Sequence, residues 1–136
     1  MSFEGLIVGQ QSEGEFVDLP VAADAVISFR DQVCTNAQGF AVAGADTEGL
    51  TCWGSSEQDV DNTGGANAAR SVRVWLSVRG ACFVYAHTGL TQALVGKPVY
   101  VAGPKSVTNV ATASNDIVSG ILMGLTPNNA VVRHSI

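Results

Sequence analysis

Residues 96–136 read GKPVYVAGPKSVTNVATASNDIVSGILMGLTPNNAVVRHSI, and this stretch decides the fold. Its apolar residues come in short β-branched and aromatic runs, each closed by Gly, Pro, Asn or Asp. Pro98-Val99-Tyr100-Val101 opens a strand with proline at the first position, where a missing N–H is tolerated. Gly103-Pro104-Lys105 turns the chain into Ser106-Val107-Thr108-Asn109-Val110, and Asn115-Asp116 turns it again before Ile117. Ser119-Gly120-Ile121-Leu122-Met123-Gly124 runs apolar, Pro127-Asn128-Asn129 makes a last turn, and Ala130 to His134 closes the series. Strands this short at this spacing predict an all-β fold, a compact antiparallel barrel or sandwich.

Period-two alternation is clearest at Ser71 to Val78, where Val72, Val74, Leu76 and Val78 alternate with Ser71, Arg73, Trp75 and Ser77. One face is apolar, and the other displays Arg73 and Trp75, with Arg79 just beyond. Trp and Arg dominate protein-interface hot spots, which makes Arg73, Trp75 and Arg79 candidate contact residues; the alternative is that Trp75 covers a second core layer. Gly80 permits a bend before Cys82-Phe83-Val84-Tyr85-Ala86, and Thr88 to Val95 brings Leu90, Leu94 and Val95 near one face of a single helical turn. Upstream, Leu50-Thr51-Cys52-Trp53 predicts a strand and Gly54 to Ala69 a long Gly-rich loop, a candidate contact surface. Val26 to Phe29 and Val33 to Thr35 read as strands, with Asn36 to Gly39 turning the second into Phe40-Ala41-Val42. Residues 1–15 set Leu6-Ile7-Val8 among glycines and polar residues, an extended N-terminal arm or edge strand ahead of a single β domain spanning 16–136.

A chain of 136 residues has the size of one domain, and with 46% hydrophobic and 14% charged residues it is too apolar to remain disordered. Its charges are unevenly placed. Eleven acids face Arg30 alone through Asp61, whereas from Asn62 onward Asp116 is the only acid among six bases. Such halves either pair within the fold or form poles that orient the molecule against a neighbour. The bases are scattered singly and the formal net charge is −5, so no direct contact with nucleic acid is expected. The acidic start lacks the basic and apolar regions of a signal peptide, and no apolar run has membrane-spanning length, which predicts a soluble chain made in a reducing cytoplasm, with no membrane partner.

Reactive clusters are sparse. Cys34, Cys52 and Cys82 are odd in number and widely spaced, which reads as three small buried hydrophobes. His87 and His134 are the only histidines, and Cys82 and His87 lie five apart across an expected strand end without firm register, so no enzyme activity is expected. Asp59-Val60-Asp61-Asn62-Thr63-Gly64 matches the opening of a calcium loop, but position twelve is Arg70 where a bidentate Glu is required. Gly103-Pro104-Lys105-Ser106 lacks the leading glycine of a phosphate loop. The expectation is therefore no metal and no cofactor.

The run Gly96-Lys97-Pro98-Val99-Tyr100-Val101, then Val107-Thr108, then Asn115 to Met123, then Ala130-Val131-Val132-Arg133, resembles the capsid decoration (cement) proteins of tailed bacteriophages. These share a glycine-led strand, a Val-Thr strand, a polar turn, a glycine-hydrophobic strand and a terminal valine strand; the likeness covers about the last third of the chain. The acidic start and the insertion from Cys52-Trp53 to Arg70 depart from the pattern. The resemblance implies a virion protein on the outer surface of the expanded head, a homotrimer that clamps neighbouring copies of the major capsid protein. On that reading Phe3, Leu6, Ile7 and Val8 of the arm, together with Trp53, Arg73, Trp75 and Arg79, are the capsid or subunit contacts. Other readings are a different virion subunit, from a tail tube, fibre base or minor capsid position, and a small-ligand-binding or enzymatic β-barrel.

Overall fold

The computed structural model describes residues 15–110 and 112–136, with the backbone only at Arg79. Phe3, Leu6, Ile7, Val8 and the rest of the expected arm up to residue 14 lie outside the described residues. The protein is all-β. Its strands are β1 (Phe16–Pro20), β2 (Val26–Ile27), β3 (Gln32–Thr35), β4 (Ala41–Ala43), β5 (Thr51–Ser56), β6 (Val60–Asp61), β7 (Ser71–Trp75), β8 (Phe83–Thr88), β9 (Pro98–Gly103), β10 (Ser106–Thr108), β11 (Val118–Leu125) and β12 (Asn129–His134). Among the described residues two short 3-10 helices, Val78–Gly80 and Gln92–Leu94, join them. The second supplies the helical turn expected near Leu94.

The first seven strands make an open sheet in the order β1-β7-β5-β3-β4 and a two-stranded sheet of β2 and β6. The last five close into a barrel, in the order β10-β8-β12-β11-β9. A ring of strands that alternate in direction must contain an even number, so five strands cannot close with antiparallel pairs alone. The mismatch falls at β8 and β10, which pair in parallel, Ser106 opposite Ala86 and Thr108 opposite Thr88, while the other four pairs are antiparallel. The expectation of a wholly antiparallel barrel is corrected at that one seam.

The expected loop from Gly54 to Ala69 is also corrected. Gly54, Ser55 and Ser56 complete β5, and Val60 and Asp61 form β6 against Val26 and Ile27. Turn-like residues serve as strand here because the backbone of β7 passes so close to Gly54 that only glycine fits. The hairpin turn at Asn36 is as expected: the Asn36 Oδ1 accepts the N–H groups of Gln38 and Phe40, and Gly39 takes a left-handed φ of 88°. The expected strand from Ser71 to Val78 ends at Trp75, and Val78 enters the first 3-10 helix. β1 was not expected from the sequence; it forms an edge strand on β7, with Leu19 opposite Val72 and Pro20 at the far end.

Each half buries its own core. Leu19, Val21, Ile27, Val33, Val72 and Val74 fill the space within the first-half strands, and Phe83, Tyr85, Val99, Val107, Leu122 and Val132 fill the barrel. Cys34, Cys52, Val101 and Ile117 are a third cluster, joining the open sheet to the barrel. Gln32 pins the same seam. Its wholly buried amide Nε2 donates to the carbonyls of Gly103 and Ser106 at 3.0 Å each, its Oε1 accepts the Ser119 hydroxyl, and its backbone N–H donates to Pro104 O. Replacing Gln32 by Leu leaves two carbonyls and a hydroxyl unpaired away from water; a loss of about 2 kcal/mol in urea unfolding is expected. A change within about 0.5 kcal/mol, as at a bland surface site, would refute this role.

The uneven charge is partly resolved by pairing across the halves. Arg73 bridges Asp18 at 3.3 Å, and Lys105 in the β9–β10 turn bridges the buried carboxylate of Asp31. Asp46 reaches the barrel side as well, its carboxylate accepting the N–H groups of Ser114 and Asn115 at 2.7 and 2.8 Å. Those backbone donors, Ser114 first, hold the Asp46 pKa below the ordinary carboxylate value.

Candidate functional site

The turn Ser28-Phe29-Arg30-Asp31 builds the most distinctive surface. Ser28 N–H donates to the Asp31 carboxylate at 2.8 Å, and Asp31 N–H returns to Ser28 O at 3.0 Å. This closure holds Arg30 at a φ of 71°, a left-handed backbone that an L-residue adopts at a cost on the order of 1 kcal/mol. The strained turn points the guanidinium into aromatic surroundings. Its carbon lies 5.0 Å from the ring centre of Trp75, 5.3 Å from that of Phe29 and 5.8 Å from that of Phe83. Phe16, Trp75 and Phe83 continue as a row, with centroid separations of 5.6 and 6.2 Å.

Beside this row runs a groove of about 410 Å³, walled by Glu15, Arg30, Trp75, Val78, Cys82 and Phe83. The Cys82 thiol is exposed there and donates to Gly80 O at 3.3 Å, whereas the thiols of Cys34 and Cys52 are buried. The expectation of three buried cysteines is corrected at Cys82, which stands between the 3-10 turn and β8 and lines the groove. The groove can accept a group that stacks on aromatic surface or carries negative charge toward Arg30.

Of the sequence-derived contact residues, Arg73 and Trp75 both lie against the Phe16 ring, whereas Trp53 packs on the core of the open sheet. Trp75 is half-buried, on β7 but packed against the barrel core. It fills the second-layer role that the alternation left open. Trp53 is half-buried on β5 and donates its indole N–H to the Thr35 hydroxyl at 2.8 Å. Arg73 is exposed on β7, engaged by Asp18 and lying 5.8 Å from the Phe16 ring centre. Arg79 falls in the 3-10 turn Val78–Gly80.

A second constellation, buried, was not anticipated. His134 accepts the Tyr85 hydroxyl at Nε2 (2.6 Å) and, through Nδ1, lies 3.0 Å from Ser119 O and 3.7 Å from Cys52 Sγ. A carbonyl only accepts, so Nδ1 carries the proton and Nε2 is the acceptor. Burial lowers the His134 pKa to about 4, and burial raises that of Tyr85. The Cys52 pKa is raised by its hydrogen bond with Cys34 first and by burial second. All three groups are thus held neutral and pack the interior. His87 stands apart, its Nε2 donating to Thr126 O at 3.0 Å, so it does not pair with Cys82.

The calcium-like fragment directs its oxygens to backbone donors. Asp59 accepts Phe29 N–H at 2.7 Å and Asp61 accepts Thr63 N–H at 2.9 Å, while the buried Asn62 amide donates to Ala22 O and Ala66 O. Among the described residues no group of three or more His, Cys, Asp or Glu side chains is placed to hold a metal ion, and no helix is long and apolar enough to cross a membrane.

The outer wall of the barrel is the remaining surface of note. Val84 on β8 is 61% exposed and sits directly opposite Val131 on β12. Across the next ladder, the register shift between Leu122 and Gly124 pushes Met123 outward, 45% exposed, while Leu122 points fully into the core. Three neighbouring strands therefore carry apolar side chains on their solvent side.

Fold and surfaces together define an all-β protein with a side-chain-filled five-stranded barrel, a packed open sheet and an apolar outer stripe. No protein-family model and no curated protein matches the chain.

Proposed function

We propose that the protein is a virion structural subunit that binds the outer surface of the expanded phage head and cements neighbouring major capsid subunits. The observation that carries the reading is the Val84, Val131 and Met123 stripe on the barrel wall. Apolar side chains on the solvent side of three adjacent strands suit a docking surface more than they suit a solvated one. The stripe lies partly within the stretch whose sequence resembles decoration proteins, since residues 96–136 supply β9 to β12. A protein that binds only one lattice state stabilises that state by mass action, and so resists the pressure of packaged DNA without any chemistry of its own. A homotrimer over the pseudo-threefold axes of the head, with Phe3, Leu6, Ile7 and Val8 among its capsid or subunit contacts, completes the proposal.

Cryo-electron microscopy of expanded and unexpanded heads incubated with purified protein tests it. Symmetric density on expanded heads alone is expected. Val84→Asp and Met123→Asp together should lower occupancy by at least about tenfold while leaving the fold intact. Absence of the native protein from both kinds of head would overturn the cement reading. A ligand-binding protein is the second reading, favoured by the groove beside Arg30; the barrel interior is filled by Phe83, Tyr85, Val99 and Leu122, so a ligand would sit in that groove. Ring or tube formation by the protein alone would favour another virion subunit.

A further inference from the structure

Cys34 and Cys52 face one another across the β3·β5 ladder, just past a register shift that leaves Trp53 of β5 without a partner on β3. Residues directly opposed in an antiparallel pair have Cα atoms about 4.5–5.5 Å apart, inside the span of about 4.4–6.8 Å that a disulfide bridges. Side chains directly opposed in an antiparallel pair lie on the same face of the sheet, and here both fall in one buried cluster. The pair is packed with Val101 and Ile117 of the barrel half, and the third thiol, Cys82, lies on the outer groove.

We propose that Cys34 and Cys52 are a reversible disulfide site, oxidised by exchange with a small-molecule disulfide such as oxidised glutathione. One cysteine thiolate attacks the glutathione disulfide, forming a mixed disulfide and expelling one glutathione thiolate. The second cysteine thiolate then attacks the protein sulfur of that mixed disulfide and expels the other. The protein loses two electrons and two protons, and two molecules of reduced glutathione carry them away. The Cys34–Cys52 bond staples β3 to β5 and closes a loop that contains β4 and the Asp46 clasp on Ser114 and Asn115. This goes beyond the proposed function and stands without it.

Burial slows attack on the folded protein, so the test is an equilibrium one. A Cys82→Ala chain is refolded in mixtures of reduced and oxidised glutathione, acid-quenched and weighed for the loss of two hydrogens. The same mixtures are run in strong urea. The native chain is expected to reach half oxidation at a ratio about a hundredfold more reducing than the unfolded chain requires, since a bond that fits the fold is favoured by as much as it stabilises it. Peptide mapping should join Cys34 to Cys52, and Cys34→Ser in the same background should lose no hydrogens. Half oxidation of the native chain at the same ratio as the unfolded chain, or at a more oxidising one, would overturn the proposal. Should Cys82→Ala fold poorly, the native sequence with its exposed thiol alkylated before unfolding gives the same comparison.

Discussion

Gly54→Ala is expected to destabilise the protein by about 3 kcal/mol or more, and Gly124→Ala by less than about 1 kcal/mol, although both glycines lie in strands. A Cβ at Gly54 would sit 1.9 Å from the carbonyl oxygen of Trp75 and 3.2 Å from a methyl of Val74. The first is backbone and has no rotamer to escape into, so β5 and β7 must separate. Separation disturbs the pairing of Ser55 with Trp75 and of Ser56 with Val74, and it moves Trp75 against the barrel. A Cβ at Gly124 meets only Val131 side-chain atoms at 3.8 Å, an ordinary contact. Urea unfolding of the two variants decides the matter, and equal losses would show that strand glycine entropy, not the backbone approach, governs both sites.

The second large effect is a loss of stability on mild acidification that traces to His134. The imidazole is 4% exposed, ringed by Phe83 and Tyr85, and its pKa is lowered from 6.5 to about 4 by burial. Its neutral form donates to Ser119 O and accepts from Tyr85; a proton on Nε2 would face the Tyr85 hydroxyl and put a charge in a dry site. The folded pKa lies below the unfolded one, so between pH 6.5 and about 4 the unfolded chain binds the extra proton. Stability is therefore whole above pH 6.5, falls as pH drops toward 4, and loses about 3 kcal/mol across that window from this group. His134→Gln removes the titrating ring, so the difference between the two proteins isolates the imidazole from carboxylates such as Asp46, which act in both. A native protein whose urea midpoint falls no faster with acid than that of His134→Gln would exclude the linkage.

Much of the second half was legible because its signals are local. Pro98, Gly103-Pro104 and Pro127-Asn128-Asn129 punctuate apolar runs, and the structure places β9, β10 and β11 between them and starts β12 at Asn129. Closure was not legible: whether five strands form a ring, and therefore which pair must run parallel, is a property of the whole count and of no segment. β1 escaped because Asp18 and Pro20 dilute a five-residue edge strand. The candidate surfaces were harder still. Arg30 meets Trp75 and Phe83 through a left-handed turn, and neither the turn nor the distant rings announce themselves near Arg30. His134 did leave a trace, since it continues the inward series of Ala130 and Val132. The pairing of Cys34 with Cys52 depends on a bulge that shifts the register, which strand alternation alone does not reveal.

The placement of the two tryptophans equips the molecule with its own optical gauges. Trp53 belongs to the open sheet and is hydrogen-bonded within it, so its emission follows that half. Trp75 lies between Phe16 and Phe83 beneath the Arg30 cation, at the junction of open sheet and barrel, so its emission follows their engagement. With only two indoles in the chain, replacing either by Phe leaves a single reporter, and the fluorescence of one half can be followed apart from the docking of both.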